Sequence, residues 1–325
     1  MRAKEIIMEG GWADTRTQSA SPITPAVVKK AVIVIQNFIK KFNKFVKTKG
    51  LPAVGGGRPV GSSYYYQKDL VDDPTKEYGD IDVRFLLPRF PNKSDAQVQE
   101  LYVELVEAYT KVDSNISTNG GKNVIFNIDG EYRQVDLVMS YYDNEEWMGA
   151  LVPERGIKGV IGASVYSSLA EYLNLSISSF GVQAKTRDGK PVSFRQSKDV
   201  ILQMVSKDPR GWGIDVAKFI AKAAGIDNPK ISNDLKQNSG VNPDNIKIAD
   251  WVATTKGIAH TLELNGIDSY SNIITGVTKI YADKITKAAN SSKFLKAETP
   301  KAIAQAQETK DKLQKGLKMV LSLFK

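Results

Sequence analysis

The strongest chemical signal in this sequence is a pair of aspartates, Asp80 and Asp82, embedded in an apolar run. Alternate residues of a β-strand point to the same face of a sheet, so the two carboxylates should lie side by side while Ile81 and Val83 enter the core. Neighbouring carboxylates repel each other, and divalent cations with oxygen ligands relieve that repulsion. The spacing therefore predicts a magnesium-binding strand; the plainer alternative is a strand end with solvated acids.

A third aspartate, Asp136, is flanked by apolar residues within a second predicted strand, 132–139. If that strand lies beside the predicted strand 81–87, Asp136 joins the same face and supplies a third carboxylate. Three carboxylates can hold two metal ions about 3.5 to 4 Å apart, which clamp the attacking and leaving oxygens of a phosphoryl group. We therefore expect phosphoryl-transfer chemistry at this face.

A glycine turn precedes the acidic strand. Gly61, Ser62 and Ser63 stand where an extended segment is expected to turn into a short helix that begins near Tyr64. Backbone N–H groups at such a turn favour phosphate. The tyrosines from Tyr64 to Tyr66 could stack on a base, although at least one ring is expected in the core. A phosphate cradle beside a metal site indicates a nucleoside triphosphate.

This order of motifs resembles the DNA polymerase beta-like nucleotidyltransferase superfamily. Its pattern is a Gly-Ser turn, an apolar-flanked Asp-x-Asp strand and a third Asp on a neighbouring strand; the matching residues are Gly61-Ser62, Asp80-Ile81-Asp82 and Asp136. The resemblance covers about residues 54 to 140 and looks closest to the branch with CCA-adding enzymes, poly(A) polymerases and cyclic GMP-AMP synthase. It implies an α/β (α+β) nucleotidyltransferase fold, a small mixed sheet with flanking helices followed by a helical lobe.

The resemblance also implies an activity, in which a nucleoside monophosphate moves from an NTP, with ATP expected, to an acceptor hydroxyl while pyrophosphate leaves. Asp80, Asp82 and Asp136 would hold two Mg²⁺ ions, with Mn²⁺ as the alternative, and Asp136 would also be the general base. The residues expected to contact the nucleotide are Gly61, Ser62, Ser63, Tyr64 and Lys158, with Arg155 and Lys198 as equivalent basic candidates.

Two departures from the family pattern limit this transfer of roles. The stretch from Ser62 to Asp80 is longer than in compact members, and the basic glycine turn 156–159 follows Asp136 too soon. Other phosphate motifs fail, because the P-loop spacing from Gly56 to Gly61 is followed by Ser62 where a lysine is required.

The predicted elements place the acidic strands in an N-terminal catalytic domain, residues 1–196, and assign residues 197–325 to a helical domain with a basic C-terminal helix. We expect a long helix over 24–48, a flexible glycine segment at 55–59, a helix capped by Ser94 and a hairpin around Asp129-Gly130. Further predictions are a hairpin over 181–195 and a helix over 200–205.

Composition excludes several other classes of site. The 325 residues include no cysteine and one histidine, His260, so thiol nucleophiles, thiolate metal sites and histidine-pair metal sites are ruled out. No apolar run reaches the length of a membrane span, so we expect no membrane partner and a cytoplasmic location.

The net charge of +9 is concentrated near the C-terminus, where residues 279–325 hold eleven lysines and four acidic residues. Such a segment favours a polyanionic partner, and an RNA 3′ end is the preferred acceptor. The alternative is a structural helix with solvated lysines that docks through Leu313, Leu317, Val320, Leu321 and Phe324. Other functional hypotheses are nucleotide second-messenger synthesis, transfer to a protein or small molecule, and a non-catalytic interaction module with this fold.

Overall fold

The computed structural model describes residues 23–68, 80–151, 159–187, 190–191, 201–240, 246–290 and 300–325. Its contacts divide the chain into two compact units, an N-terminal unit that ends at Arg155 and a C-terminal unit that begins at Gly156. The division falls before Gly156, whereas the sequence placed it after residue 196. The physical reason is a sheet in the C-terminal unit whose paired strands lie on both sides of residue 196.

The N-terminal unit combines a five-stranded mixed sheet with flanking helices. Its helices are α1 (Pro25–Thr48), α2 (Gly61–Gln67), α3 (Asp95–Thr110) and α4 (Glu145–Ala150), with a short 3-10 turn at Tyr142–Asn144. Its strands are β1 (Gly55–Pro59), β2 (Ile81–Leu87), β3 (Ile116–Asn119), β4 (Asn123–Ile128) and β5 (Glu131–Tyr141). The strand order is β1-β2-β5-β4-β3, with β2 and β5 parallel and the other pairs antiparallel. This is an α+β arrangement.

Helix α1 covers one face of this sheet, as the apolar periodicity of residues 24–48 predicts. The ring of Phe42 lies 5.8 Å from that of Phe85 on β2, and the ring of Phe38 lies 5.2 Å from that of Phe126 on β4. Alternate residues of β2 (Ile81, Val83, Phe85 and Leu87) are fully buried on this side. The intervening residues, Asp82 among them, therefore point to the opposite face.

Two local predictions in this unit are confirmed. Ser94 and Gln97 form a capping box at the start of α3, in which the Ser94 side chain accepts the Gln97 N–H and the Gln97 side chain accepts the Ser94 N–H. Asp129 and Gly130 both have positive φ, 56° and 83°, and form the two-residue turn between β4 and β5.

The glycine segment 55–59 is a strand, β1, where we expected a flexible approach. It pairs antiparallel with β2, and Gly56 has a φ of +109°. A Cβ at Gly56 would lie 2.2 Å from the carbonyl oxygen of Arg84, so glycine permits a close approach that a side chain would prevent.

The C-terminal unit contains helices and a second sheet. Its helices are α5 (Gly159–Tyr172), α6 (Trp212–Ala223), α7 (Asn233–Gln237), α8 (Ile248–Leu264), α9 (Tyr270–Ala289) and α10 (Pro300–Phe324). Its strands are β6 (Leu175–Ser178), β7 (Gly181–Arg187), β8 (Lys190–Pro191) and β9 (Ile201–Ser206), and β7 pairs antiparallel with each of the other three. The helix predicted over 200–205 is wrong, because this segment forms β9. A short apolar run carries no periodicity that separates a strand from a buried helix.

Helix α10 docks within the C-terminal unit through an apolar stripe. Leu313, Val320 and Phe324 are buried, and a Cβ at Gly316 would lie 2.3 Å from Cδ1 of Ile161 on α5. Within the described ranges, no helix is both long and apolar enough to cross a membrane.

Candidate functional site

Two of the predicted site carboxylates stand opposite each other in the N-terminal sheet. Strand β2 runs parallel to β5 with Asp82 and Asp136 as Cα partners, so both side chains point to the face that α1 does not cover. Asn123 on β4 is the partner of Asp136 on its other side. Three neighbouring strands thus carry a row of polar residues, and all three side chains are half-buried.

The pKa of the Asp136 carboxyl group is raised towards neutral pH. Burial and, to a smaller extent, the charge of Asp80 raise the pKa of Asp136 to about 6. Gln134 opposes this shift, because its side-chain N–H donates to Oδ1 of Asp136 at 2.7 Å and so stabilises the ionised form. Asp80, the residue before β2, is therefore an electrostatic neighbour of Asp136 as well as a sequence neighbour of Asp82.

The glycine turn lies directly against Asp82. The N–H of Val60 donates to the carbonyl oxygen of Asp82 at 2.9 Å, and Gly61, with a φ of +58°, begins α2. A Cβ at Gly61 would lie 2.8 Å from Oδ2 of Asp82. Only glycine accommodates both this backbone conformation and this close approach.

The other residues of the turn are placed differently. Ser63 is fully buried, and its hydroxyl accepts the backbone N–H of Asp82 at 3.0 Å. It therefore stabilises the main chain of β2 and does not face a ligand. Tyr64 is half-buried, with its ring edge-on to that of Tyr65 at 5.6 Å, while Tyr66 belongs to the core, as expected of one ring. The side chain of Ser62 is not among those the structure describes.

The basic candidates for the triphosphate, Lys158, Arg155 and Lys198, lie outside the described residues, as does most of the stretch between the glycine turn and β2 (69–79).

Sequence reasoning did not identify Arg84, which shares the strand face of Asp82. Its Nη1 donates to Oε1 of Glu145 at 2.9 Å, and Nη1 of Arg58 lies 3.7 Å from the same oxygen. The Arg84 side chain is 11% exposed, and its Nε has no hydrogen-bond partner among the described residues. The sequence did offer a signal for Arg84, because alternate residues of a strand share a face and residues 82 and 84 are two apart on β2. Two guanidinium groups thus share the carboxylate of Glu145.

Asp82 and Asp136 are paired across two strands, and Asp80 interacts electrostatically with Asp136, but the three do not form a complete metal site. In the described part of the chain, no group of three or more His, Cys, Asp or Glu side chains is arranged to hold a metal ion as it stands. The pair nevertheless suits a hard cation, because carboxylate oxygens are its preferred ligands and the raised pKa of Asp136 reflects a buried negative charge that a cation would stabilise.

Comparisons of this chain with protein-family models, curated proteins and solved structures find no match. The residues and geometry of the N-terminal unit are therefore the basis for assigning a function.

Proposed function

We propose that the N-terminal unit is the catalytic domain of a metal-dependent nucleotidyltransferase with a nucleotidyltransferase fold. It would move a nucleoside monophosphate from an NTP, with ATP expected, to an acceptor hydroxyl and release pyrophosphate. The observation that carries this proposal is the register of β2 and β5, which brings Asp82 and Asp136 to one point of the sheet. The glycine that contacts Asp82 adds a backbone surface suited to phosphate.

Asp80, Asp82 and Asp136 would hold the metal, two Mg²⁺ ions with Mn²⁺ as the alternative. When bound, such ions neutralise the charge that develops on the transferred phosphoryl group. Two properties of these residues fit Mg²⁺. Their side chains offer only carboxylate oxygens, which are its preferred ligands. Burial also penalises the Asp136 anion when no cation is bound.

The protein's own groups would perform the remaining tasks. Asp136 would accept the proton of the acceptor hydroxyl, and a bound cation would keep its carboxyl group ionised and able to do so at neutral pH. The backbone at Gly61 would approach the triphosphate, and the buried Ser63 hydroxyl would fix the position of Asp82. Positioning and electrostatics then account for most of the catalysis.

An RNA 3′ end is the acceptor that we propose. The support is the basic C-terminal helix, α10, whose Lys312, Lys315 and Lys318 are exposed on the C-terminal unit, as is Lys325 directly after it. Exposed lysines bind phosphates through counterion release, independently of base sequence.

The test is transfer of α-labelled ATP, GTP, CTP or UTP in Mg²⁺ or Mn²⁺, with and without a single-stranded RNA oligonucleotide. Wild type should release pyrophosphate and label the RNA. Asp82→Asn and Asp136→Asn should each lose about 100-fold or more of this rate. Asp129→Asn is the matched control, because it removes one charge from the same hairpin at a positive-φ position that asparagine tolerates, and it should remain active.

Absence of pyrophosphate release from every NTP with either metal, in a folded protein, would overturn the proposal, as would activity that survives in both variants. Label found in a dinucleotide or in protein would retain nucleotidyl transfer and replace RNA as the acceptor.

A further inference from the structure

A cavity of about 260 Å³ lies within the C-terminal unit. It is formed where α5, α6, α8 and β6 come together beside the turn between α8 and α9. Its lining includes Tyr172, Leu175, Phe219, Ile220, Leu262 and Asp268. Most of the lining residues are apolar, and the polar side chains in the lining are those of Tyr172, Asn174 and Asp268; small-molecule sites of proteins likewise combine apolar walls with a few polar groups.

The polar part of the cavity contains a fixed carboxylate. Oδ2 of Asp268 accepts the phenolic O–H of Tyr172 at 2.7 Å. Oδ1 of Asp268 accepts the backbone N–H of Ser269 at 2.8 Å and the side-chain N–H of Asn272 at 3.1 Å. These hydrogen bonds hold the pKa of Asp268 below its usual range, so the group is ionised at neutral pH.

The negative charge of Asp268 has no protein counter-ion among the described residues, where no lysine or arginine forms an ion pair with it. All of the groups that stabilise it are neutral donors. A carboxylate beside an apolar cavity attracts a cation and repels phosphate and carboxylate ligands.

Packing fixes one wall of the cavity, the ring of Tyr172. Gly276 of α9 lies against the ring of Tyr172, and a Cβ at Gly276 would stand 2.2 Å from Cε2 of that ring. The ring is therefore fixed between α9 and the cavity, and its hydroxyl is fixed by Asp268. Such a site is formed before a ligand arrives, which lowers the entropy that binding loses.

We propose that this cavity binds a small organic cation, an ammonium group on a compact apolar body. The ammonium would lie beside Asp268, and the apolar body would lie among Phe219, Ile220 and Leu262. The volume is just under the roughly 300 Å³ at which drug-sized ligand sites begin, which restricts the ligand to a fragment-sized molecule. The aromatic rings of Tyr172 and Phe219 add favourable surfaces for a cation. This inference does not depend on nucleotide transfer.

The test uses three probes of one shape and different charge: 2-phenylethylammonium, 2-phenylethanol and 3-phenylpropionate. Their affinities for the full chain would be measured by calorimetry and by saturation-transfer NMR. We expect the cation to bind about tenfold or more tightly than the alcohol, and the anion not to bind. Asp268→Asn should lower the affinity for the cation about tenfold and leave the affinity for the alcohol unchanged. Asp283→Asn, which removes an exposed charge from α9, the helix that follows Asp268, should change neither.

A second variant guards against a folding defect in Asp268→Asn. Ile220→Trp changes a half-buried wall residue, fills the cavity and leaves Asp268 in place, so it should abolish binding of both the cation and the alcohol. Thermal unfolding would verify that each variant is folded. The proposal is overturned if the three probes bind equally, if none binds at millimolar concentration, or if Ile220→Trp leaves binding of the cation intact.

Discussion

The hydroxyl of Ser63 accepts the backbone N–H of Asp82 at 3.0 Å, and this hydrogen bond joins the first turn of α2 to the strand that carries the candidate metal ligands. The carbonyl oxygen of the same aspartate accepts the N–H of Val60 at 2.9 Å. Both main-chain polar groups of Asp82 are thus engaged by the segment that leads into α2. The main chain at Asp82 is therefore held in place by Val60 and Ser63.

Replacing Ser63 by alanine should destabilise the N-terminal unit. The variant leaves the Asp82 N–H without its acceptor in a buried environment, and we expect the free energy of unfolding to fall by about 1 to 3 kcal/mol. Urea denaturation measures this change. Thr48→Ala is the control, because its hydroxyl also bonds to the main chain, to the carbonyl of Phe45, but is exposed; its effect should stay within about 0.5 kcal/mol. Equal losses in the two variants would contradict the assigned role of Ser63.

Gly61→Ala should displace the Asp82 carboxylate. The new Cβ would lie 2.8 Å from Oδ2 of Asp82, in addition to the strain of a side chain at positive φ, which is about 1 to 2 kcal/mol. Gly120→Ala separates the two effects, because Gly120 also has positive φ, +77°, but nothing lies within 4 Å of its would-be Cβ. We expect both variants to lose stability in urea and only Gly61→Ala to lose binding of Mg²⁺ and NTP. Retained Mg²⁺ affinity in Gly61→Ala would show that its glycine is not part of the site.

The parts of the fold that could be predicted are those carried by a few adjacent residues. The capping box of α3 needs only Ser94 and Gln97, and the hairpin turn needs only Asp129 and Gly130. Strand β1 could not be predicted, since its pairing depends on how closely Gly56 approaches Arg84, a contact between residues distant in sequence.

The same distinction holds for the candidate site. Alternation along β2 predicts that Asp82 points away from the core, and this is confirmed. That Asp136 would be its exact neighbour depended on the register of two strands, which no local pattern encodes. The buried role of Ser63 was also hidden, because a serine in a glycine turn is equally compatible with a ligand contact.

The stability of the N-terminal unit should carry a pH-dependent contribution from Asp136. The pKa of Asp136 is about 6 in the folded protein, above the 3.8 of a solvated aspartate in the unfolded chain. Between these values the folded state binds more protons, so stability falls as pH rises through the window from about 4 to 6. The loss is on the order of 2 to 3 kcal/mol. Asp136→Asn lacks it, so in metal-free urea titrations at pH 4 to 7 the variant should gain stability relative to wild type as pH rises.

Added Mg²⁺ at pH 7 should restore part of this stability in wild type and none in Asp136→Asn, because a bound cation favours the ionised carboxylate. Asp129→Asn, which changes an exposed turn residue, should follow wild type at every pH. Parallel stability curves for wild type and Asp136→Asn across the pH range would show that the pKa of Asp136 is not raised.

The lysines of α10, together with Lys325 directly after it, should determine the salt dependence of RNA binding. Reversing Lys315, Lys318 and Lys325 to glutamate spares the buried stripe of Leu313, Val320 and Phe324 that docks the helix, so the fold should remain intact. For single-stranded RNA, the slope of log affinity against log salt is about −0.7 per phosphate contacted, and the three reversals should flatten it by about 2. Fluorescence anisotropy of a labelled oligonucleotide over a salt series measures this slope.

The matched control for α10 reverses Lys218, Lys222 and Lys236, three exposed lysines of the C-terminal unit outside α10, and changes the net charge by the same amount. If RNA contacts α10, this control should change the slope far less than the α10 variant does, because counterion release counts contacts and not net charge. If the two triple variants behave alike, or if neither alters RNA binding, α10 is a structural helix with solvated lysines. Another nucleotide or a protein then becomes the better acceptor for the chemistry of Asp82 and Asp136.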